Sequence, residues 1–131
     1  MRIISYQLFR ISLNTDTRIT YTKGMQNRIE VFREMLAADP ANTIVMFGLA
    51  KEYEKLGQHA DVIDLLENYL AAADDEGNAY GVLAGAYALS GNRDKAAEVY
   101  KKGIEVSMAH GHPSMANEYK IILDLDFPEE F

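Results

Sequence analysis

Residues 46–66, MFGLAKEYEKLGQHADVIDLL, and residues 80–100, YGVLAGAYALSGNRDKAAEVY, carry one pattern twice at a spacing of 34 residues. Leu, Tyr and Gly recur unchanged at matched positions. The seven matched pairs are Met46/Tyr80, Leu49/Leu83, Ala50/Ala84, Tyr53/Tyr87, Gly57/Gly91, Val62/Ala96 and Leu66/Tyr100. A repeat of this length is typical of proteins built from stacked copies of one small unit, each of which buries its apolar face against a neighbour.

Apolar spacings of three and four, together with helix-breaking residues, predict about six helices from Met25 onward. Asp39-Pro40 ends the first, Gly57 and Gly91 stop the first helix of each repeat, and Gly111-His112-Pro113 separates the last. The predicted helices span about 25–38, 43–56, 59–72, 78–89, 93–108 and 113–123.

The chain outside these helices is expected to behave differently. Residues 1–24 are rich in Thr and alternate loosely, a composition that favours extended chain. They are interpreted either as a loosely docked extension or as a segment foreign to the natural protein, with Met25 as the true start. Residues 25–126 form the predicted repeat domain, and residues 127–131 form an acidic tail that is expected to fray.

Length, charge and composition bound the class of protein. The 131 residues have room for one domain, and a formal net charge of -7 argues against a nucleic-acid partner. Without cysteine there is no disulfide, thiolate metal site or thiol nucleophile. No apolar run approaches the about 20 residues that span a bilayer, and residues 1–13 lack the apolar block of a secretion signal. We therefore expect a cytoplasmic protein without membrane contact.

The repeated residues resemble the tetratricopeptide repeat (TPR). Its first-helix pattern is matched by Met46-x-x-Leu49-Ala50-x-x-Tyr53 and Tyr80-x-x-Leu83-Ala84-x-x-Tyr87. Its second-helix pattern is matched by Val62-x-x-x-Leu66 and Ala96-x-x-x-Tyr100. The resemblance implies an all-α fold, a right-handed stack of antiparallel helix pairs (a TPR-like α-α superhelix), with two full repeats and a capping helix at each end.

Two departures from the family pattern lie at the N-terminal side. The helix before the first full repeat matches a second helix, but Arg28 stands where a small residue is usual. Its missing first half would lie near residues 9–22, where Thr15, Asp16 and Ile19 occupy the expected Leu, Gly and Tyr positions. The match therefore covers about residues 25–108.

The resemblance also implies a concave groove lined by the first helix of each repeat. Carried over position by position, the groove residues are Ile44, Phe47, Lys51 and Glu54 from one repeat, and Asn78, Gly81, Gly85 and Ala88 from the next. Two mid-helix glycines cost about 1 kcal/mol each relative to Ala, so something should compensate. Either Gly81 and Gly85 let a bound peptide approach the backbone, or they pack against this protein's own leading helix or N-terminal segment.

The sequence contains no recognisable catalytic set, and we expect neither a cofactor nor a resident metal. His110-x-His112 is interpreted as a surface turn, and Asp74-Asp75-Glu76 as a solvated loop. The predicted function is a non-enzymatic protein-protein interaction module that binds a peptide or helix in the groove. The alternatives are a self-associating assembly element, which would be a homo-oligomer, and a small enzyme.

Overall fold

A computed structural model describes the backbone of residues 16–128 and the side chains of residues 24 and 26–128. This part of the chain forms six helices. They are α1 (Asp16–Ala38), α2 (Thr43–Lys55), α3 (His59–Ala72), α4 (Asn78–Leu89), α5 (Arg93–Ala109) and α6 (Pro113–Asp126). Each helix packs against the next in sequence, and α2 also touches α4. The two full repeats are therefore the hairpins α2–α3 and α4–α5.

The two hairpins have equivalent local chemistry at their ends. The side-chain oxygen of Asn42 accepts from the Val45 amide at 3.1 Å, and that of Asn92 accepts from the Lys95 amide at 3.2 Å. The turn within each hairpin contains a glycine with positive φ, 73° at Gly57 and 96° at Gly91. A side chain at either φ would be strained, which confirms the predicted glycine stops.

The small residues at matched helix positions of each hairpin are fully buried. Ala50 and Val62 in the first hairpin, and Ala84 and Ala96 in the second, have no solvent-exposed surface. Tyr53 is buried with 5 % exposure, and its hydroxyl accepts from Arg33 Nε of α1 at 2.9 Å. Tyr100 is buried as well, whereas Tyr87 is half-buried, and one core cluster includes residues from all six helices.

The first helix begins earlier than the sequence pattern predicted. Residues 16–24 continue α1 instead of adopting the extended conformation that their Thr content favoured. Thr costs a helix only a few tenths of a kcal/mol per residue, and extending an existing helix avoids the cost of nucleation. Residues 1–15 and 129–131 lie outside the described residues, so the division of the chain at residue 24 stays a prediction.

The start of the C-terminal tail also differs from the expectation that it frays. The Phe127 ring packs with its centroid 5.8 Å from that of Tyr100, and the Arg93 guanidinium carbon lies 4.4 Å from the centre of the same ring. Arg93 also donates a hydrogen bond to the Asp126 carbonyl. The chain is therefore anchored to α5 as far as Phe127.

Candidate functional site

The predicted groove residues of α2 occupy one face of that helix, at spacings of three and four. Ile44 is 83 % exposed, and Phe47 is half-buried. Lys51 Nζ pairs with Glu54 Oε1 at 2.8 Å, and both side chains are 43 % exposed. This face therefore presents apolar surface at its N-terminal end and a mutually neutralised ion pair at its C-terminal end.

Phe47 connects this face to the beginning of α4. Its ring centroid lies 5.4 Å from that of Tyr69 on α3, whose hydroxyl donates to Asp75 Oδ1 at 2.9 Å. Asp75 Oδ2 accepts from the amides of Gly77 at 2.8 Å and Ala79 at 3.0 Å. Burial and the Asp75 hydrogen bond raise the pKa of Tyr69 to about 12. Asp75 is thus half-buried and caps α4, which corrects its interpretation as a solvated loop residue.

Gly81 is covered by Tyr119 from the last helix. A Cβ on Gly81 would lie 2.8 Å from both Cε1 and the hydroxyl oxygen of Tyr119. That hydroxyl donates to the Gly77 carbonyl at 2.7 Å and accepts from the Gly81 amide at 3.2 Å. Close packing within the chain therefore accounts for Gly81, but the partner is α6 and not the leading helix or the N-terminal segment.

The Tyr119 ring occupies a slot between two glycines. On α5, a Cβ on Gly103 would lie 3.0 Å from Tyr119 Cε2 and 2.8 Å from the Cβ of Tyr80. Tyr119 is 8 % exposed, and burial raises the pKa of its hydroxyl. The slot joins α4, α5 and α6 and closes the groove where Gly81 lies.

Gly85, one turn after Gly81, has a different environment. No atom from another part of the described chain lies within 4 Å of a Cβ built there, although the residue is half-buried. Ala88, the next position on this face, is half-buried, and Asn78 at the start of the helix is exposed. The predicted α4 residues therefore divide into a covered position, Gly81, and an open one, Gly85.

Charged groups that the sequence analysis did not single out lie beside α2. Glu52 is 7 % exposed and accepts from Arg28 Nε at 3.1 Å and Lys55 Nζ at 3.2 Å. Burial acts to raise the pKa of Glu52, but the hydrogen bonds from the two cations outweigh it, so that the pKa lies below 4.5. The sequence signal was available in Arg28, which departs from the repeat pattern and faces this carboxylate.

The two histidines of the last turn pair with the loop between α3 and α4. His112 Nε2 lies 2.6 Å from Glu76 Oε1, and His110 Nε2 lies 3.6 Å from Asp74 Oδ1. The His110 ring forms a hydrogen bond with the Val106 carbonyl, and this bond raises the pKa of His110; the negative charge of the nearby Asp74 carboxylate raises it further. Among the residues whose side chains are described, no three or more His, Asp or Glu residues form a group that could hold a metal ion.

A separate depression lies among α3, α4 and α5, away from the predicted groove residues. Its volume is about 510 Å³, and Leu70, Tyr80, Leu83 and Val99 form its apolar part. At its rim, Lys95 pairs with Glu98 at 3.3 Å and Lys102 with Glu105 at 3.5 Å. These exposed pairs leave the depression without the cluster of like charge that would attract a charged ligand.

The helix order, the buried residues at matched positions and the repeated glycine turns define an all-α protein with a TPR-like α-α superhelix. The crystal structure of MamA, a TPR-like protein, is similar to it, with a TM-score of 0.56 and 22 % sequence identity. The similarity covers 86 % of this chain and 75 % of that of MamA, and at this identity it shows the fold alone. No protein-family model and no curated protein matches the sequence. None of the six helices is long and apolar enough to cross a membrane.

Proposed function

We propose that this chain is a non-enzymatic interaction module that binds a protein segment against α2 and α4. The observation that carries the proposal is the open space at Gly85, a glycine that costs helix stability without packing against another part of the described chain. At Gly81, close packing against Tyr119 offsets the loss of helix stability, but Gly85 has no such contact. A bound segment that approaches the α4 backbone would supply it.

The surrounding surface indicates the chemistry of the segment. Ile44 is almost fully exposed, Phe47 is half-buried, and Ala88 adds a small apolar surface beyond Gly85. Lys51 is already paired with Glu54, so a free carboxylate would have to displace an existing partner. The proposed partner is therefore an apolar stretch of peptide or the apolar face of a helix, not a charged chain terminus.

The test uses the full chain and peptides selected against it from a random-sequence display library. Amide shifts in the ¹⁵N spectrum should concentrate at Phe47, Lys51, Gly85 and their neighbours. Gly85→Leu should abolish binding of the selected peptide, because the side chain fills the open space that the peptide needs. Met108→Glu is the matched control, since Met108 is 53 % exposed on α5 and should leave binding unchanged.

Two results would overturn the proposal. One is a set of peptide-induced shifts confined to α3 and α5, the second helices of the hairpins. The other is a Gly85→Leu variant that remains folded and binds the selected peptide as tightly as the original chain.

A further inference from the structure

The described chain begins and ends on half a hairpin. In the 34-residue register, Phe32 of α1 is equivalent to Leu66 of α3 and Tyr100 of α5, so α1 is a second helix. The last helix, α6, follows the hairpin α4–α5 and takes the place of a first helix. The register puts the partner of α1 near residues 9–22, but residues 16–22 belong to α1 itself. Within residues 16–128, then, α1 lacks a first helix and α6 lacks a second.

The face of α1 that would meet a first helix is exposed and apolar. In the complete hairpins the corresponding positions are in contact: Tyr69 stacks on Phe47, and Gly103 lies against Tyr80. Their equivalent in α1 is Met35, which is 44 % exposed. One turn earlier, Val31 is 53 % exposed, whereas its equivalent Val99 is 7 % exposed.

The corresponding face of α6 is exposed in the same way. Tyr53 of α2 is 5 % exposed, but its equivalent in α6, Ile121, is 56 % exposed. Leu125 follows one turn later on the same side and is 75 % exposed. Apolar pairs spaced by four residues are thus exposed at both ends of the stack. The interior equivalents of Val31, Met35 and Ile121 are buried or half-buried, whereas those of Leu125 are the exposed turn residues Gly57 and Gly91.

Charge complementarity links the two ends. In the 34-residue register, Ala50 of α2 and Ala84 of α4 are equivalent to Glu118 of α6, and Val62 of α3 and Ala96 of α5 are equivalent to Arg28 of α1. All four of those interior residues have no exposed surface, whereas Glu118 is exposed and Arg28 is 52 % exposed. Arg28 uses Nε to bind Glu52, and its guanidinium carries further N–H donors that a carboxylate could meet.

From this pairing we propose that the chain associates head to tail, α6 of one copy packing against α1 of the next to complete a hairpin. Ile121 then packs against Val31 and Met35, and Glu118 pairs with Arg28. The contact is heterologous, so each copy keeps one free end and further copies can add. The proposal is independent of the groove, because the end faces and the Gly85 surface are different surfaces.

Sedimentation of the full chain over a concentration series, at low and at high salt, tests the association. The weight-average mass should rise above the monomer mass of 14.7 kDa with concentration, and less so at high salt, because salt screens the Arg28–Glu118 attraction. Glu118→Arg, which opposes Arg28 with a like charge, should weaken the low-salt association and remove its salt dependence.

Two blocked variants distinguish a head-to-tail contact from a symmetric one. Val31→Glu blocks only the α1 face, Ile121→Glu blocks only the α6 face, and each variant should by itself stay monomeric. Mixed together they should form a 1:1 dimer and nothing larger, since each supplies the face that the other lacks. Leu89→Glu is the control, because Leu89 is 73 % exposed on the interior helix α4, and it should associate like the unmodified chain.

Three outcomes overturn the proposal. A chain that keeps the monomer mass at every concentration shows that the ends do not join. Association that persists in either blocked variant alone shows a symmetric contact instead. A mixture of folded variants, verified by unchanged thermal unfolding, that stays monomeric shows that the two faces do not meet.

Discussion

The sharpest prediction concerns Gly81→Ala, with Gly85→Ala as its matched control one turn away on the same helix. Both changes replace a mid-helix glycine, and each should gain about 1 kcal/mol of helix propensity. They differ in surroundings, since a Cβ at 81 meets Tyr119 at 2.8 Å and a Cβ at 85 meets nothing within 4 Å. Gly85→Ala should therefore stabilise the protein by about 1 kcal/mol.

The expected cost at position 81 follows from the Tyr119 slot. Ordinary carbon contacts lie near ~3.5 Å, so the ring would have to retreat by about 0.7 Å towards Gly103 on its far side. Overpacking of this kind costs about 1–3 kcal/mol, and misaligning the hydroxyl hydrogen bond to the Gly77 carbonyl costs about 1 kcal/mol more. After the propensity gain, Gly81→Ala should be less stable by about 1–3 kcal/mol.

Urea unfolding of the two variants measures the difference, which should reach about 2–4 kcal/mol in unfolding free energy at an unchanged m-value. In a Tyr119→Leu background the clash is absent, and Gly81→Ala should then be neutral or stabilising. Equal stabilisation by Gly81→Ala and Gly85→Ala in the original background would refute the slot as the reason for the glycine at 81.

Three further changes test other parts of the structure. Gly91→Val should lower the unfolding free energy by more than about 1 kcal/mol, read from thermal unfolding, because its φ of 96° is strained for a side chain; an unchanged melting temperature would contradict this turn. Glu52→Gln should cost about 1–3 kcal/mol near neutral pH by breaking the bonds from Arg28 and Lys55. The pKa of Glu52 is lower in the folded state than its usual 4.5, so the carboxylate contributes stability above pH 4.5 and loses that contribution as the pH falls through the folded-state pKa. Urea titrations at a series of pH values should therefore show the unfolding free energies of the variant and the original chain converging in acid. A difference in unfolding free energy that does not change with pH would contradict this assignment. Asp75→Ala should cost about 1 kcal/mol through loss of the α4 cap, and amide exchange should accelerate in the first turn of α4 but not of α5.

Most of the architecture was predictable because its signals are local. Spacings of three and four residues define helix faces, and a glycine that must adopt positive φ marks each hairpin turn at Gly57 and Gly91. The 34-residue register matched Ala50 with Ala84, and both residues are fully buried. The predicted start of α1 was wrong, because the preference of Thr for extended chain is weak and an adjacent stable helix overrides it.

The candidate site was predictable only in outline. Register placed Gly81 and Gly85 on one face, but no local pattern distinguishes the covered glycine from the open one. The partner of Gly81 is Tyr119, 38 residues further on, in a helix already recognised from its apolar stripe. A costly glycine in a helix indicates that something approaches closely, but it does not identify what approaches.

The number, order and pairing of the repeat helices follow from the sequence, because hydrophobic period and turn chemistry are local properties of each segment. Other contacts are visible only in the packed fold: Tyr119 occupies the Gly81 slot, Glu52 is buried between two cations, and the loops around Glu76 and His112 meet. These contacts join segments whose separation depends on the angle and rotation at which helices pack. A small change in that geometry exchanges one neighbour for another while leaving every local signal unchanged.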